Sequence, residues 1–309
     1  MEKIVIIGSA NTDLIVQTGR IPKPGETVLG GEFRMVSGGK GANQAVAVAR
    51  LGGDAHFVAR VGGDLFGDEL MERYAAEKMD TSYILRDSET TTGVALISVD
   101  AKAENCIVVA PGANGRLSKA DIDRALPVIG QAGYLLIQLE IPLDVVEYAI
   151  ETAAGLGVKV ILNPAPAALI DESCFKYLYA ITPNETECAL LTGIEVESEA
   201  DAIAAADILL AKGVKNVVIT CGSRGAVVRS EGFFERIPAC RVEAVDTTAA
   251  GDVFNGALAV ALAEGAPLPD AARFATCAAA VSVTRVGAQS SVPTRGEVDE
   301  LVCAKLCAN

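Results

Sequence analysis

Apolar and polar positions alternate along this chain in blocks that change period. Lys3 to Ile7 is a nearly continuous apolar run closed by Gly8, the pattern of a strand buried on both faces of a parallel sheet. Val46 to Leu51 reads as the body of an alanine-rich helix stopped by Gly52-Gly53. Ala55 to Arg60 predicts a strand and Leu65 to Lys78 a helix. Beyond Pro111-Gly112 the alternation resumes with helix Lys119 to Leu126, strand Tyr134 to Leu139, helix Leu143 to Ala154 and strand Lys159 to Leu162. A helix running through Leu191, strand Val217 to Thr220, a Gly222 to Gly225 turn, strand Ala226 to Arg229 and helix Ala271 to Thr284 follow, with Arg285 to Pro293 irregular.

Two stretches break this rhythm. From Leu14 to Val36, candidate strands at Leu14 to Gln17 and Glu26 to Met35 are separated by Pro22, Pro24 and Gly25, with no helix between them. Tyr83 to Leu85, Thr92 to Val99 and Asn105 to Val109 again read as strands without helices. The expectation is an α/β protein with a Rossmann-like doubly wound, mostly parallel sheet and helices on both faces, plus a small β-sheet lid. With no internal repeat or clear linker, one domain over 1–309 is expected, its lid strands inserted at about 14–36 and 83–110.

Composition narrows the chemistry. Half of the 309 residues are apolar, enough for a substantial core, and the net charge of -14 argues against a broad nucleic-acid footprint. No stretch reaches the length of a membrane span, and Ile4 to Ile7 is too short for a signal segment. Eight cysteines without a Cys-x-x-Cys pair read as reduced, mostly buried thiols of a cytoplasmic protein. The single histidine, His56, sits in a predicted strand, and no Gly-x-Ser-x-Gly elbow occurs, so triad hydrolases and multi-histidine zinc sites are poor fits.

Polar residues gather where strands end, the edge at which doubly wound sheets bind ligands. Asn11 and Asp13 follow the first strand, Gln138 and Glu140 a later one, and Asn163 and Asn184 to Glu187 two more. Asn11 to Asp13 also has the composition of an ordinary turn. Ser37 to Ala45 is a glycine loop opening a helix, yet it matches neither a Walker A loop nor Gly-x-Gly-x-x-Gly, since Gln44 occupies the last glycine position. A lysine and an asparagine, Lys40 and Asn43, on the first turn of a helix meant to be buried require partners. Asp246-Thr247-Thr248-Ala249-Ala250-Gly251-Asp252 runs into a strongly apolar helix, so its small residues and unpartnered first-turn amides suit an anion. Asp252 beside them reads either as a working carboxylate or as a complement to the helix dipole.

Taken together, Gly38 to Ala45, Asp246 to Asp252, Asn11 to Asp13 and Asn184 to Glu187 resemble the signatures of the ribokinase family of carbohydrate kinases, in order and separation, over nearly the whole chain. The resemblance implies ATP-dependent phosphorylation of the 5-hydroxyl of D-ribose. It implies that Asn11, Asp13, Gly39, Lys40, Asn43 and Glu140 hold the sugar, and that Asp252 accepts the proton of the attacking hydroxyl. Ala249, Ala250 and Gly251 would form an anion hole with the Asp252 amide. Asn184 and Glu187 would organise Mg2+ through water, and Asn184, Thr220, Gly222, Ser223, Gly225, Gly251 and Thr276 would meet ATP. Asp246, Thr248, Ser282, Arg285, Gly287 and Ser291 would hold K+, largely through backbone carbonyls.

Two positions depart from the family pattern: Gly63, where relatives often carry an acidic residue, and Thr276, where some carry histidine near the adenine. Kinases of deoxyribose, another sugar or a nucleoside, and a non-catalytic sugar-binding regulator, are the competing readings. Exposed lid strands from two chains are expected to pair into a homodimer.

Overall fold

Ile4 to Ile7 are fully buried, as a strand covered on both faces requires. The computed structural model, which describes residues 1–102 and 104–308, sets this strand, β1 (Lys3–Ile7), inside a nine-stranded sheet. The chain leaves it for β2 (Asn11–Gln17) and β3 (Phe33–Gly38), which belong to a second sheet, and returns through α1 (Lys40–Arg50) to β4 (Asp54–Gly62), parallel to β1. Helix α2 (Leu65–Ala76) leads to β5 (Asp80–Asp87), parallel to β4 at one edge. Strands β6 (Gly93–Val99) and β7 (Asn105–Ala110) complete the second sheet. After a 3-10 turn over Gly112–Arg116 and α3 (Lys119–Ile129), β8 (Ala132–Ile137) joins β1 from the other side.

From there the main sheet grows outward through α4 (Leu143–Gly155), β9 (Lys159–Leu162), β10 (Leu178–Ile181), α5 (Glu185–Thr192), α6 (Glu199–Ala211) and β11 (Asn216–Thr220). Its far edge is closed by β12 (Ala226–Ser230) and β13 (Phe233–Ile237), both antiparallel to their neighbours. The chain ends with α7 (Ala250–Ala263), α8 (Leu268–Ser282) and α9 (Arg295–Ala308). The strand order is β13-β12-β11-β10-β9-β8-β1-β4-β5, so the winding direction reverses between β1 and β8. In doubly wound sheets the carboxyl ends of the strands at such a reversal are where ligands bind.

One apolar layer contains residues of α1, α2, α7 and α8, and the other those of α3 to α6. Within the first, α7 lies unusually close to α1: a Cβ on Gly256 would sit 2.6 Å from the Ala47 Cβ and 3.0 Å from the Gln44 carbonyl oxygen. That approach brings Asp252, one turn before Gly256, against the first turn of α1.

The second sheet has the order β3-β2-β6-β7 and is antiparallel at both flanks, while its central pair, β2 and β6, is parallel. Two expectations are corrected here. Tyr83 to Leu85 lies in β5 of the main sheet, because α2 supplies the crossover helix that a parallel β4-α2-β5 connection needs. The strand expected from Glu26 begins only at Phe33, since Pro22, Pro24, Gly25 and the Gly30-Gly31 pair keep the preceding segment irregular. Cys174, Cys188, Cys221, Cys240 and Cys277 are buried and Cys106 is exposed, while the side chains of Cys303 and Cys307 lie outside the described residues.

Candidate active site

The ends of β1 and β8 are bridged by a short hydrogen bond, Ser9 Oγ donating to Glu140 Oε2 at 2.5 Å. The same oxygen accepts the Lys40 backbone N–H at 3.0 Å, so Glu140 joins the end of β8 to the start of α1. Gly39, at φ 87, makes this possible: a Cβ there would press within 2.9 Å of the Asn11 amide and the Ser9 carbonyl. The glycines of the loop thus serve close packing of α1 against the end of β1.

Asn11 and Asp13 begin β2, soon after β1, and belong to a strand instead of a turn. Asn11 Oδ1 accepts from Asn114 Nδ2 at 2.6 Å, and Asn114 also takes the Ala10 N–H at 2.9 Å, which engages the Asn11 oxygen and leaves its amino group as the remaining donor. Asp13 stands over Gly38 on the neighbouring strand, where a Cβ would come within 2.1 Å of its carboxylate. Burial, with the Glu140 and Asp252 charges adding to it and Lys40 opposing, raises the Asp13 pKa to about 7.

Asp252 is buried between two amides. Its Oδ2 accepts from Asn43 Nδ2 at 2.9 Å and its Oδ1 from Gln44 Nε2 at 3.0 Å. Burial raises its pKa against the opposing pull of Lys40, Asn43 and Gln44. For Lys40 burial works the other way, but the Asp252, Glu140, Glu187 and Asp13 carboxylates outweigh it and hold the ammonium above the usual lysine range. One ammonium therefore feels the charge of four carboxylates.

Ahead of Asp252, α7 starts without a side-chain cap. Ala249 occupies the cap position in the left-handed region at φ 59, whereas α2 and α5 are capped by Asp64 and Asn184. Gly251 is exposed, and a Cβ on it would meet nothing within 4 Å. The Ala250 N–H donates to the Thr247 carbonyl at 3.2 Å, so the open space at this turn lies at Gly251, with the strongest carboxylate candidate on the next residue.

Asn184 and Glu187 form a reciprocal capping box on α5: Glu187 Oε2 and Oε1 accept from Asn184 N and Nδ2 at 2.9 and 3.0 Å, and Glu187 N donates to Asn184 Oδ1 at 2.8 Å. Burial raises the Glu187 pKa. Asn184 bridges to Thr220, whose N–H donates to the Pro183 carbonyl at 2.9 Å, so these two are neighbours. The Thr220 to Gly225 turn depends on glycine at φ 50 and 94; a Cβ on Gly225 would lie 2.0 Å from the Ile237 oxygen. Ser223 projects from this turn. Thr276 stands apart in α8, buried, with its hydroxyl turned back to the Ala272 carbonyl at 2.8 Å.

At the far side of the α7 loop, Asp246 Oδ1 accepts the Thr248 N–H and hydroxyl at 2.9 and 2.6 Å, and its Oδ2 accepts the Gly287 N–H at 2.8 Å. Arg285 turns its guanidinium to Glu297. Ser282 and Ser291 bond to carbonyls of their own turns, Ala279 and Ala288. Ser9, Asn114, Thr182 and Asn255 belong to the same region but carried no motif signal; only the folded arrangement gives them partners.

The model of the pfkB family carbohydrate kinases matches residues 1–295. A ribokinase of Haemophilus influenzae is 44% identical over 97% of this chain and 98% of its own, and a deoxyribokinase of Salmonella typhi is 39% identical over 96% and 97%. Among solved structures, ribokinase from Thermotoga maritima superposes with a TM-score of 0.91 at 40% identity, covering 98% of this chain and 100% of its own. Arabidopsis thaliana ribokinase complexed with ribose and ATP gives 0.89 at 32% identity, covering 97% and 98%.

Proposed function

The chain belongs to the pfkB family of carbohydrate kinases, and from that premise we propose that it transfers the γ-phosphoryl group of ATP to the 5-hydroxyl of D-ribose. The observation that carries the reading is the Asp252 carboxylate, buried between the Asn43 and Gln44 amides on the same helical turn as the uncapped amides of α7. Phosphoryl transfer asks mainly for alignment and charge neutralisation, and this turn offers both within one residue of each other.

In this reading Asp13 and Asn11 hold sugar hydroxyls, assisted by Lys40, Asn43, Glu140 and the backbone at Gly39. Asp252 takes the proton of the attacking hydroxyl, and the amides of Ala249 to Asp252 receive the transferred group. Thr220, Gly222, Ser223 and Gly225 border the nucleotide, with Thr276 on its adenine side.

Mg2+ would be held through water by Asn184 and Glu187, since both Glu187 oxygens already accept from Asn184 and leave no carboxylate oxygen unengaged for direct ligation. Magnesium supplies charge neutralisation across the phosphates. K+ would be held where Asp246 ties Thr248 to Gly287, with backbone carbonyls of the Ser282 to Ser291 segment, Arg285 and Gly287 among them, as its further oxygens; a bound ion there would hold the α7 loop in shape without entering the chemistry.

The small sheet serves as a lid within one domain. Its exposed Phe33, Leu96, Ile107 and Val108 support pairing of two lids in a homodimer. No helix among the described residues is long and apolar enough to cross a membrane, and the need for ATP suits the cytoplasm.

A second reading, phosphorylation of deoxyribose, is favoured by the Salmonella typhi relative. ADP release from purified protein with ATP, Mg2+ and K+ tests both. Ribose is expected to exceed deoxyribose in kcat/KM; the reverse order assigns the second reading, and no ADP release with either sugar overturns the proposed chemistry.

A further inference from the structure

Three successive parallel strands each carry a polar residue one position beyond their carboxyl end: Gln138 after β8, Asn163 after β9 and Thr182 after β10. They are joined edge to edge by side chains from the helices above. Gln138 Nε2 donates to Gln44 Oε1 at 2.6 Å, and Gln44 Nε2 donates both to Asn163 Oδ1 and to Asp252 Oδ1, each at 3.0 Å. Asn163 Nδ2 reaches the Thr182 carbonyl at 3.3 Å, the Thr182 hydroxyl reaches Asn255 Oδ1 at 2.6 Å, and Asn255 Nδ2 returns to the Gly251 carbonyl at 2.8 Å. The chain of amides therefore begins over β8 and ends in the first turn of α7, touching Asp252 on the way.

Its direction is fixed by proton count. An ionised carboxylate and a carboxamide oxygen only accept, so Gln44 must present its amino group to Asp252 and Asn163, using both of its hydrogens. Its oxygen then faces Gln138, which must donate. A flipped Gln44 would set its oxygen against two acceptors and its amino group against the Gln138 amino group, leaving no proton in one contact and a clash of donors in the other. Gln138 thus adds a third contact that only the donating orientation of Gln44 satisfies.

Gln138 and Gln44 are both fully buried, and Gln138 Oε1 has no hydrogen-bond partner. It is wedged over the end of β1, where a Cβ on Gly8 would lie 2.1 Å from that oxygen. An unpaired buried amide oxygen destabilises a fold, and an apolar side chain of similar volume would avoid that cost. We infer that Gln138 and Gln44 are positioning residues for Asp252, Gln138 orienting the Gln44 amide so that it donates to the carboxylate. This rests on Asp252 being the base, as proposed above.

Four variants test it: Gln138→Met, Gln44→Met, their double and Asp252→Asn, with kcat, ribose KM, the acid limb of kcat and the thermal midpoint measured for each. Losing the donor disfavours ionised Asp252, so the acid limb of Gln138→Met is expected at higher pH by about half a unit. Its kcat is expected to fall about tenfold with ribose KM within about twofold, and its thermal midpoint to stay close to wild type, because the unpaired Gln138 oxygen is removed while the Gln44 oxygen loses its donor. Because Gln138 acts through Gln44, adding Gln138→Met to Gln44→Met should change kcat by less than about twofold. Gln138→Asn, which keeps an amide but cannot reach Gln44, should repeat the kinetic result if the methionine variant does not fold. A wild-type kcat and acid limb in Gln138→Met or Gln138→Asn, or an equal loss in both backgrounds, overturns the inference. Wild-type turnover in Asp252→Asn instead overturns the base assignment itself.

Discussion

The Asp246 carboxylate accepts the backbone N–H of Gly287 at 2.8 Å across 41 positions of sequence, while its other oxygen gathers Thr248. One side chain thereby ties the loop before α7 to the segment after α8. If K+ binds at that junction, it stabilises the folded state by mass action. The wild-type thermal midpoint is then expected to rise in KCl relative to choline chloride at equal ionic strength. Asp246→Ala should reduce that difference and raise the K+ needed for half-maximal turnover about tenfold. An equal K+ response in the variant would remove Asp246 from the cation's support.

Ala249 holds φ 59, a region costing a non-glycine residue about 1–2 kcal/mol. Glycine relieves that strain but adds about 0.4–1 kcal/mol of unfolded-chain entropy, so Ala249→Gly should leave stability unchanged or raise it by up to about 1.6 kcal/mol. Its effect is expected in kcat, because the uncapped amides of α7 would be less rigidly aimed. Thermal melts and turnover measured together check this; a large destabilisation would show that the Ala249 methyl makes packing contacts that matter more than its backbone conformation.

Much of this arrangement was legible before folding. Continuous apolar runs ending in polar residues marked β1, β8 and β9, the small residues of Asp246 to Asp252 marked the start of an apolar helix, and Lys40 and Asn43 in the glycine loop marked side chains that needed partners. What escaped notice lacked local contrast. Ser9 and Asn114 are ordinary polar residues until β1, β8 and the turn after β7 meet, and Asn255 sits inside a helix that is otherwise apolar. Gln44 read only as the residue that spoils a glycine motif, though it links Asp252 to β8 and β9. The lid strand misplaced at Tyr83 failed for another reason: strand composition does not say which sheet a strand joins, and the crossover helix before it did.

Glu187 gives both carboxylate oxygens to Asn184, so its charge and its capping role can be separated. Glu187→Gln keeps an acceptor for the box while removing the charge, and should raise the Mg2+ concentration for half-maximal ADP release about tenfold or more. Asn184→Ala removes the cap and should cost about 1 kcal/mol of stability even without Mg2+. Metal titrations and metal-free melts distinguish the two. A Glu187→Gln enzyme with unchanged Mg2+ dependence would leave the residue a helix cap alone.

Asp13 makes the site sensitive to pH in the sugar-free protein. Burial first, then Glu140 and Asp252, raise its pKa from 3.8 to about 7, so the folded state binds the proton more tightly than the unfolded chain. The stability linked to this group is fully present below about 4 and is lost as pH rises through about 7. Asp13→Asn should therefore be more stable than wild type at pH 8 and show a flatter stability profile between those limits, while binding sugar poorly. Sugar hydroxyls donating to Asp13 favour its ionised form, so ribose binding at pH 6 should release up to about one proton. Calorimetry in two buffers of different ionisation enthalpy measures that release directly. An absence of proton exchange at pH 6 in the wild-type protein would mean that the sugar does not engage Asp13 as an acceptor.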